Sequence, residues 1–370
     1  MKRIFTLLFL SLTLVSLAQQ TQSVNAIPPG YYNTATGTGY VLKTQLHNII
    51  KNHFDQGYTP GLYITYQTSD VRPNGKVWDM YSDCEFTFGT VANGGNQDNG
   101  TNPGGECVLF NREHTVPQSY FGNSVSPMFS DAHFVIPSDK VVNATRDDFP
   151  YGRVQNATWT STNGSKLGNN MNSGYSAGYS LTVFEPVDQY KGDIARLLLY
   201  FATRYEDQLT TFYTTSSSTS KVMFDGTSGH SFSNTFLNIL LTWNQQDPVS
   251  AKEIDRNNAI YARQNNRNPF IDNNNYVTQI WGLPLATSAF ESLNAVSVYP
   301  NPSNNGNVNI STEISLDNIE IITINGQVLQ QIKRPTLENN TYTLNNLPKG
   351  FYFIKLSSNN DSVTKKVLVN

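Results

Sequence analysis

Two short blocks constrain this chain more than any other feature, because they concentrate reactive side chains between apolar residues. The first block, residues 110–117, reads FNREHTVP. The second, residues 131–137, reads DAHFVIP, and the run VNATR follows it at 142–146. The chain has only five histidines, and two of them, His114 and His133, lie in these blocks. We therefore expect one site here, around which the rest of the chain is arranged.

The side chains in these blocks suit the hydrolysis of a phosphodiester. A neutral imidazole such as His114 is a competent general base near pH 7. Glu113 and Asn143 offer hard oxygen donors to a metal ion, and an arginine such as Arg146 can hold a phosphate. Neighbours in a regular strand face opposite sides, so Glu113 and His114 can share a site only if the strand ends or bends before Pro117. The alternative for Glu113 and His114 is an ordinary surface pair.

The same region predicts a strand at 108–115, a long loop, a strand at 133–136 and then a helix. Ser138 or Asp139 would cap the N-terminus of that helix. Asn143 and Arg146, three residues apart, would lie on neighbouring faces of it. For His133 two interpretations stay open, a core histidine that orients the hairpin and a member of the site.

Periodicity predicts the remaining elements of the first 285 residues. Apolar residues recur at helical spacing in 43–54, 191–205 and 232–243, and Ser250 with Glu253 forms a capping box for a helix that extends to about residue 264. Residues 62–68 and 77–81 have the composition of short strands. Residues 152–180 are rich in Asn, Ser, Thr and Gly and predict a loop or an irregular strand.

The N-terminus predicts export. Residues 1–3 are MKR, residues 4–17 are apolar, and Ser16 and Ala18 frame a small-x-small cleavage site, so 1–18 fits a signal peptide. The alternative is a membrane anchor, although the run is shorter than the ~20 residues that a span needs. We interpret 19–27 as a disordered leader, and no later stretch is apolar enough to cross a membrane. Cys84 and Cys107 flank the Gly/Asn-rich run 91–105, which predicts a disulfide after export, with two free thiols as the alternative.

Composition limits how nucleic acid could be bound. The formal net charge is −3, and only 14% of the residues are charged, so there is no global basic field. Binding of phosphates would have to be local. The candidates are Arg112, Arg153, Arg196, Arg256 and Arg267, for which ordinary salt bridges are the alternative.

The composition changes from Ser292 onward, which predicts a second domain at 296–370, preceded by a linker at 286–295. Short alternating runs occur at 308–311, 319–324, 327–332, 342–344, 351–356 and 363–369. Asn325 and Gly326 form a two-residue hairpin turn. This pattern predicts a small β-sandwich.

The combination of motifs resembles the endonuclease I family of secreted bacterial nucleases, a ββα-metal or His-Me finger class. It rests on NREHTVP at 111–117, Asp131-x-His133, Asn143 and Arg146. It continues in FEP at 184–186, KGDIAR at 191–196 and NRNPF at 266–270. The tail resembles the type A sorting domain of the type IX secretion system, through YPNP at 299–302 and KKV at 365–367. The expected fold is α+β, a mostly helical nuclease domain at 28–285 followed by the β-sandwich.

The resemblance implies roles for individual residues. His114 falls on the general base, Glu113 and Asn143 fall on the ligands of a metal, usually Mg²⁺ with Ca²⁺ or Mn²⁺ possible, and Arg146 could hold phosphate. At Phe134 many relatives have a second histidine, which this chain lacks. The implied partners are DNA or RNA, and the type IX machinery. The implied location is the cell surface or medium, reached through the periplasm.

Two other classes of function remain open at the level of the sequence. The chain could be an inactive secreted protein that binds nucleic acid or mediates adhesion. It could also be a metal-dependent phosphodiesterase that acts on small molecules. Degradation of long polymers would distinguish a nuclease from both.

Overall fold

The computed structural model describes residues 27–283, 296–312, 315–337, 340–358 and 361–370. The predicted signal peptide, nearly all of the predicted leader and the predicted linker lie outside these ranges. The described residues form two units with separate hydrophobic cores, one within 27–283 and one within 296–370. The first unit combines helices with two small antiparallel sheets, and the described residues of the second unit form strands without helices, so the predicted α+β class is confirmed.

The central hairpin has the predicted order of strand, long connection, strand and helix. Strand β1 (Phe110–His114) pairs antiparallel with β2 (Val135–Asp139), with His114 opposite Val135. Helix α4 (Lys140–Arg146) follows β2 directly. Of the two predicted caps, Asp139 is the one used: its carboxylate accepts hydrogen bonds from the backbone N–H groups of Val141 and Val142 at 2.7 and 3.0 Å.

Besides α4, the four other predicted helices exist, with shifted ends. They are α1 (Gly39–Ile50), α5 (Lys191–Arg204), α7 (Asn234–Gln246) and α8 (Ala251–Gln264). The capping box between Ser250 and Glu253 at the start of α8 is confirmed. Every residue of α5 is buried, and it packs against α1 and α7 at the centre of the unit. The remaining helices are short and were not predicted: α2 (Tyr63–Ser69), α3 (Gln118–Phe121), α6 (Leu209–Thr215), α9 (Pro269–Asp272) and α10 (Asn275–Trp281).

The strand predicted at 62–68 is wrong, because the segment is helical. A wide turn at Tyr58–Leu62 leads into α2, which packs against α8. Leu62, Tyr66 and Ser69 are buried while Ile64 and Gln67 are exposed, which is the spacing of one helical face. Packing of that face against α8 outweighs the strand preference of the aromatic and β-branched side chains.

The strand predicted at 77–81 is also wrong. In the described part of the chain Val77 forms only an isolated bridge, to Val71. The backbone N–H groups of Val77 and Trp78 donate instead to the carbonyls of Phe86 and Asp70, at 2.9 and 2.7 Å. These backbone groups are therefore satisfied without a ladder of paired strands.

Residues 152–180 contain irregular strands. Strands β3 (Val154–Thr160) and β4 (Lys166–Asn170) pair with shifts of register, and β5 (Thr182–Glu185) completes an antiparallel sheet in the order β3-β4-β5. The predicted disulfide between Cys84 and Cys107 is present, with a Cα–Cα distance of 4.9 Å.

The second unit consists of two antiparallel sheets around one core, as expected for a small β-sandwich. One sheet has the order β10 (Thr341–Leu344), β7 (Val308–Ser311), β6 (Ser297–Tyr299). The other has the order β12 (Asp361–Val369), β11 (Gly350–Ser358), β8 (Asn318–Thr323), β9 (Val328–Lys333). Within the described ranges, no helix of either unit has the length and apolar character to cross a membrane.

Candidate active site

A cleft of about 300 Å³ opens where the central hairpin meets α3 and α4. Glu113 and His114 both line it, although they are neighbours in sequence. Strand β1 ends at His114, before Pro117, as the sequence required if these adjacent residues were to share a site. The lining consists of Tyr58, Asn111, Arg112, Glu113, His114, Pro117, Gln118, Ser119, Asn143, Arg146, Asp147 and Asp148.

The imidazole of His114 is held in one tautomer. Its Nε2 lies 3.0 Å from the carbonyl oxygen of Phe129, and because a carbonyl only accepts, Nε2 must carry the hydrogen. Nδ1 therefore presents a lone pair, and the side-chain amide of Gln118 lies 3.2 Å from it. The ring also stacks on that of Phe129, with centroids 5.6 Å apart. Burial lowers the pKa of His114 to about 4, so the ring is a neutral base at physiological pH.

Glu113 lies in the wall of the cleft with only 2% of its surface exposed. Arg146 Nη1 donates to its Oε1 at 3.1 Å, and the hydroxyl of Tyr81 donates to the same oxygen at 3.4 Å. Burial raises the pKa of Glu113 to about 7, and the charge of Arg146 counters part of that rise. The hydrogen bonds from Arg146 and Tyr81 thus fix the position of the Glu113 carboxylate.

Arg146 does not fit the predicted role of holding a phosphate. It is fully buried, and besides Glu113 its guanidinium donates to the backbone carbonyls of His114 and Thr115 at 2.9 and 3.0 Å. Its plane also lies over the ring of Tyr151, 4.7 Å from the centroid. The geometry favours a residue that supports Glu113 and the end of β1.

Asn143 of α4 lines the same cleft as Glu113 and His114. Its amide nitrogen donates to Oδ1 of Asn111 at 2.8 Å and to the carbonyl of Arg112 at 3.3 Å. These two bonds fix the orientation of the amide. Its Oδ1 accepts no hydrogen bond from the described residues, so that oxygen is available to a ligand.

The donor set of the cleft suits a hard cation. Glu113 and Asn143 supply one carboxylate and one amide oxygen. Among the described residues there is no group of three or more His, Cys, Asp or Glu side chains placed to hold a metal. A cation here would have few protein ligands and would keep much of its water, which is how Mg²⁺ binds proteins.

Of the five arginines proposed for local phosphate binding, Arg112 lines the cleft. Its guanidinium lies between the rings of Tyr58 and Tyr63, 3.7 and 4.4 Å from their centroids. Its Nη1 donates to the carbonyl of Tyr58 at 3.1 Å. The aromatic sandwich fixes a positive charge at the wall of the cleft without neutralising it.

The other four arginines lie outside the cleft lining. Arg196, Arg256 and Arg267 are almost completely buried, and each pairs with a carboxylate, of Glu253, Asp70 and Asp272 respectively. For these three the alternative of ordinary salt bridges is correct. Arg153 lies over the ring of Tyr175, 5.2 Å from its centroid.

His133 is a core residue and lies outside the cleft. It is fully buried, its Nε2 donates to the carbonyl of Asn266 at 3.0 Å, and its ring packs on Tyr200. Phe134, at the position where many relatives have a histidine, is also fully buried and packs on Phe201, with ring centroids 4.9 Å apart.

Six polar residues of the cleft lining were not predicted as site residues: Tyr58, Asn111, Gln118, Ser119, Asp147 and Asp148. Gln118 follows His114 by four residues across Pro117, and this spacing could have drawn attention to it. Asp148 accepts from the backbone N–H of Thr219 at 2.9 Å, a contact between residues 71 positions apart. No local sequence pattern predicts a contact over this separation.

Comparisons with known proteins identify the family of the chain. Residues 38–275 match the model of the family described as Endonuclease I. The chain belongs to the endonuclease I family. Residues 297–370 match the secretion system C-terminal sorting domain.

Two curated relatives are extracellular ribonucleases. The one from Bacillus amyloliquefaciens is 32% identical over 281 residues, covering 72% of this chain and 84% of the relative. The one from Bacillus subtilis (strain 168) is 34% identical over 259 residues, covering 68% and 78%. Membership of the endonuclease I family, these relatives and the sorting domain together support a secreted or cell-surface nuclease.

Proposed function

We propose that this chain is a metal-dependent endonuclease that hydrolyses the phosphodiester bonds of nucleic acids with little sequence preference. The observation that carries the proposal is the lone pair on His114 Nδ1, fixed by the bond from Nε2 to the carbonyl of Phe129. His114 lines the same cleft as Glu113 and Asn143, whose side chains carry oxygen donors. A base and a pair of hard ligands at one point are what hydrolysis of a phosphodiester requires.

The residues of the cleft divide the reaction between them. Nδ1 of His114 takes a proton from a water molecule, whose oxygen then attacks phosphorus as the bond to the 3′-oxygen breaks. The imidazolium that forms keeps its Nε2–H on the carbonyl of Phe129. Arg112, held between two tyrosines, offers a positive charge to the substrate phosphates. Mg²⁺ held by Glu113 and Asn143, or Ca²⁺ or Mn²⁺ in its place, would supply charge that stabilises the phosphate and the leaving oxygen.

The names of the two relatives favour RNA as one substrate, and DNA stays in the proposal because the endonuclease family model matches as well. For export we propose that 1–18 is a signal peptide that directs passage through the periplasm. Residues 28–285 would form the nuclease domain, and the domain at 296–370 would address the chain to the type IX secretion machinery.

Digestion of DNA and RNA side by side tests the activity. Purified protein should degrade at least one polymer, EDTA should abolish the degradation, and added Mg²⁺ should restore it. Full activity in EDTA would contradict the metal role. Binding without cleavage would support the inactive binding protein instead. Turnover of bis-nitrophenyl phosphate without cleavage of either polymer would support a small-molecule phosphodiesterase.

A further inference from the structure

The side chain of Gln118 forms a hydrogen bond with Nδ1 of His114, the atom that would accept the proton in the proposed reaction. Its amide lies 3.2 Å from Nδ1. Because Nε2 carries the ring hydrogen, Nδ1 can only accept, so the amide must present its NH₂ group to the ring. A water molecule cannot donate to the same lone pair while this bond exists. Gln118 therefore has to release Nδ1 before His114 can act as a base.

The backbone of Gln118 is fixed while its side chain can rotate. Gln118 begins α3 directly after Pro117, and its carbonyl accepts from the N–H groups of Gly122 and Asn123 at 3.0 and 2.8 Å. The side chain is half-buried and lines the cleft. Within the described part of the chain its Oε1 accepts no hydrogen bond. Rotation of the terminal amide thus breaks only the contact with His114.

We propose that Gln118 is a positioning residue that seats the attacking water. Turning the amide over brings Oε1 toward Nδ1, and two acceptors then face each other. A water molecule between them donates one hydrogen to Nδ1 and the other to Oε1. Both of its lone pairs are then directed away from these two groups, toward the space in which the phosphate must lie.

The proton balance of the step is simple. The hydrogen bonded to Nδ1 passes to His114, the hydrogen bonded to Oε1 stays with the oxygen, and that oxygen forms the new bond to phosphorus. The 3′-oxygen leaves with its electron pair and takes a proton from solvent. Gln118 exchanges no proton. Once Nδ1 of His114 has released the captured proton to solvent, the NH₂ group of Gln118 can donate to Nδ1 again.

This inference rests on the proposed function, and its first test separates binding from catalysis. Gln118→Met keeps the length of the side chain and removes both polar groups. It should lower kcat by roughly 10- to 100-fold, less than loss of a general base costs, and leave KM nearly unchanged. Gln118→Asn, which keeps an amide on a shorter stem, should have a kcat between those of Gln118→Met and the unaltered protein. Gln67→Met, at an exposed glutamine of α2, is the matched control and should change neither constant.

A second measurement does not depend on activity. In protein labelled with ¹⁵N-histidine, the Nδ1 signal of His114 should shift in Gln118→Met, because its hydrogen bond is lost, while Nε2 stays protonated. The signal is assigned by its absence from His114→Gln.

Each outcome either supports or overturns the inference. A Gln118→Met enzyme with normal kcat overturns it, as does a change confined to KM, or Gln118→Asn no faster than Gln118→Met. An Nδ1 signal that does not shift in Gln118→Met would show that Gln118 does not bond to His114 Nδ1. If the unaltered protein cleaves no polymer, it is the proposed function that fails.

Discussion

The two buried histidines of the central hairpin have the same chemistry and opposite surroundings. His114 ends β1 in the cleft, and His133 lies two residues before β2 in a core cluster with Asp131, Tyr200 and Tyr205. Both imidazoles donate Nε2–H to a backbone carbonyl, and burial lowers the pKa of both to about 4. A displaced pKa therefore does not distinguish the site from the core in this protein.

Access distinguishes the cleft from the core cluster. In the core cluster one carboxylate oxygen of Asp131 accepts from the hydroxyls of Tyr200 and Tyr205, both at 2.8 Å, and the other accepts from Gln264 at 2.9 Å. All these groups are shut away from solvent. In the cleft the lone pair of His114 meets a single side chain that can move. A buried polar network with all its hydrogen bonds made rigidifies the core. A base whose single hydrogen-bond partner can move away is free to accept a proton from a substrate or water.

The largest expected effect comes from replacing each of the two histidines in turn by alanine. His114→Ala should lower kcat by roughly 10²–10⁴-fold, the usual contribution of a positioned base, with little effect on substrate binding. His133→Ala should leave kcat of the folded protein nearly intact and lower its stability. Steady-state kinetics and denaturant unfolding of both variants check this. A His114→Ala enzyme within a few-fold of the unaltered rate would end the proposed mechanism.

The arginines give the same contrast in stability. Arg256→Met should destabilise the fold by roughly 3–5 kcal/mol, because it strands the buried carboxylate of Asp70. Arg112→Met at the cleft should raise KM and leave the unfolding transition almost unchanged. Urea melts and kinetics distinguish the two. Equal losses of stability in both variants would show that Arg112 is structural.

Acid should affect the core through His133. Its pKa is about 4 in the folded chain and 6.5 in a model peptide, so between these values the unfolded chain binds more protons. The stability that neutral His133 preserves is complete above pH 6.5 and is lost as the pH falls toward 4. Between pH 7 and pH 5 the free energy of unfolding should fall by about 2 kcal/mol less in His133→Gln than in the unaltered protein. Parallel curves for the two proteins would contradict the assignment.

Removal of the tail should have the smallest effect. Neither the cleft lining nor the core cluster uses a residue beyond 283, and the tail has its own core. A chain that ends at Leu283 should keep the kcat and KM of the full protein while failing to leave the native host. Loss of catalysis in a folded, soluble truncated protein would place the domain boundary elsewhere.

The sequence allowed prediction of what local chemistry determines. The end of β1 before Pro117, the Asp139 cap and the Ser250 capping box are short-range features, and all three are present. The strand prediction for 62–68 was wrong because the helical form of this segment depends on packing against α8, nearly 200 residues away. For Arg256 and Arg196 the sequence left phosphate contact and salt bridge open, because the partners Asp70 and Glu253 are 186 and 57 residues distant. Only the fold decides which of these charges are already paired.

One carboxylate, that of Asp139, connects the disulfide-bonded loop to helix α4. Its Oδ2 accepts from the backbone N–H of disulfide-bonded Cys107 at 2.7 Å, while its Oδ1 caps the helix that bears Asn143. The exposed residues 99–102 lie outside this anchor. Because closing a longer loop costs little entropy, insertions there leave the helix in register. The length of this loop is therefore uncoupled from the position of Asn143.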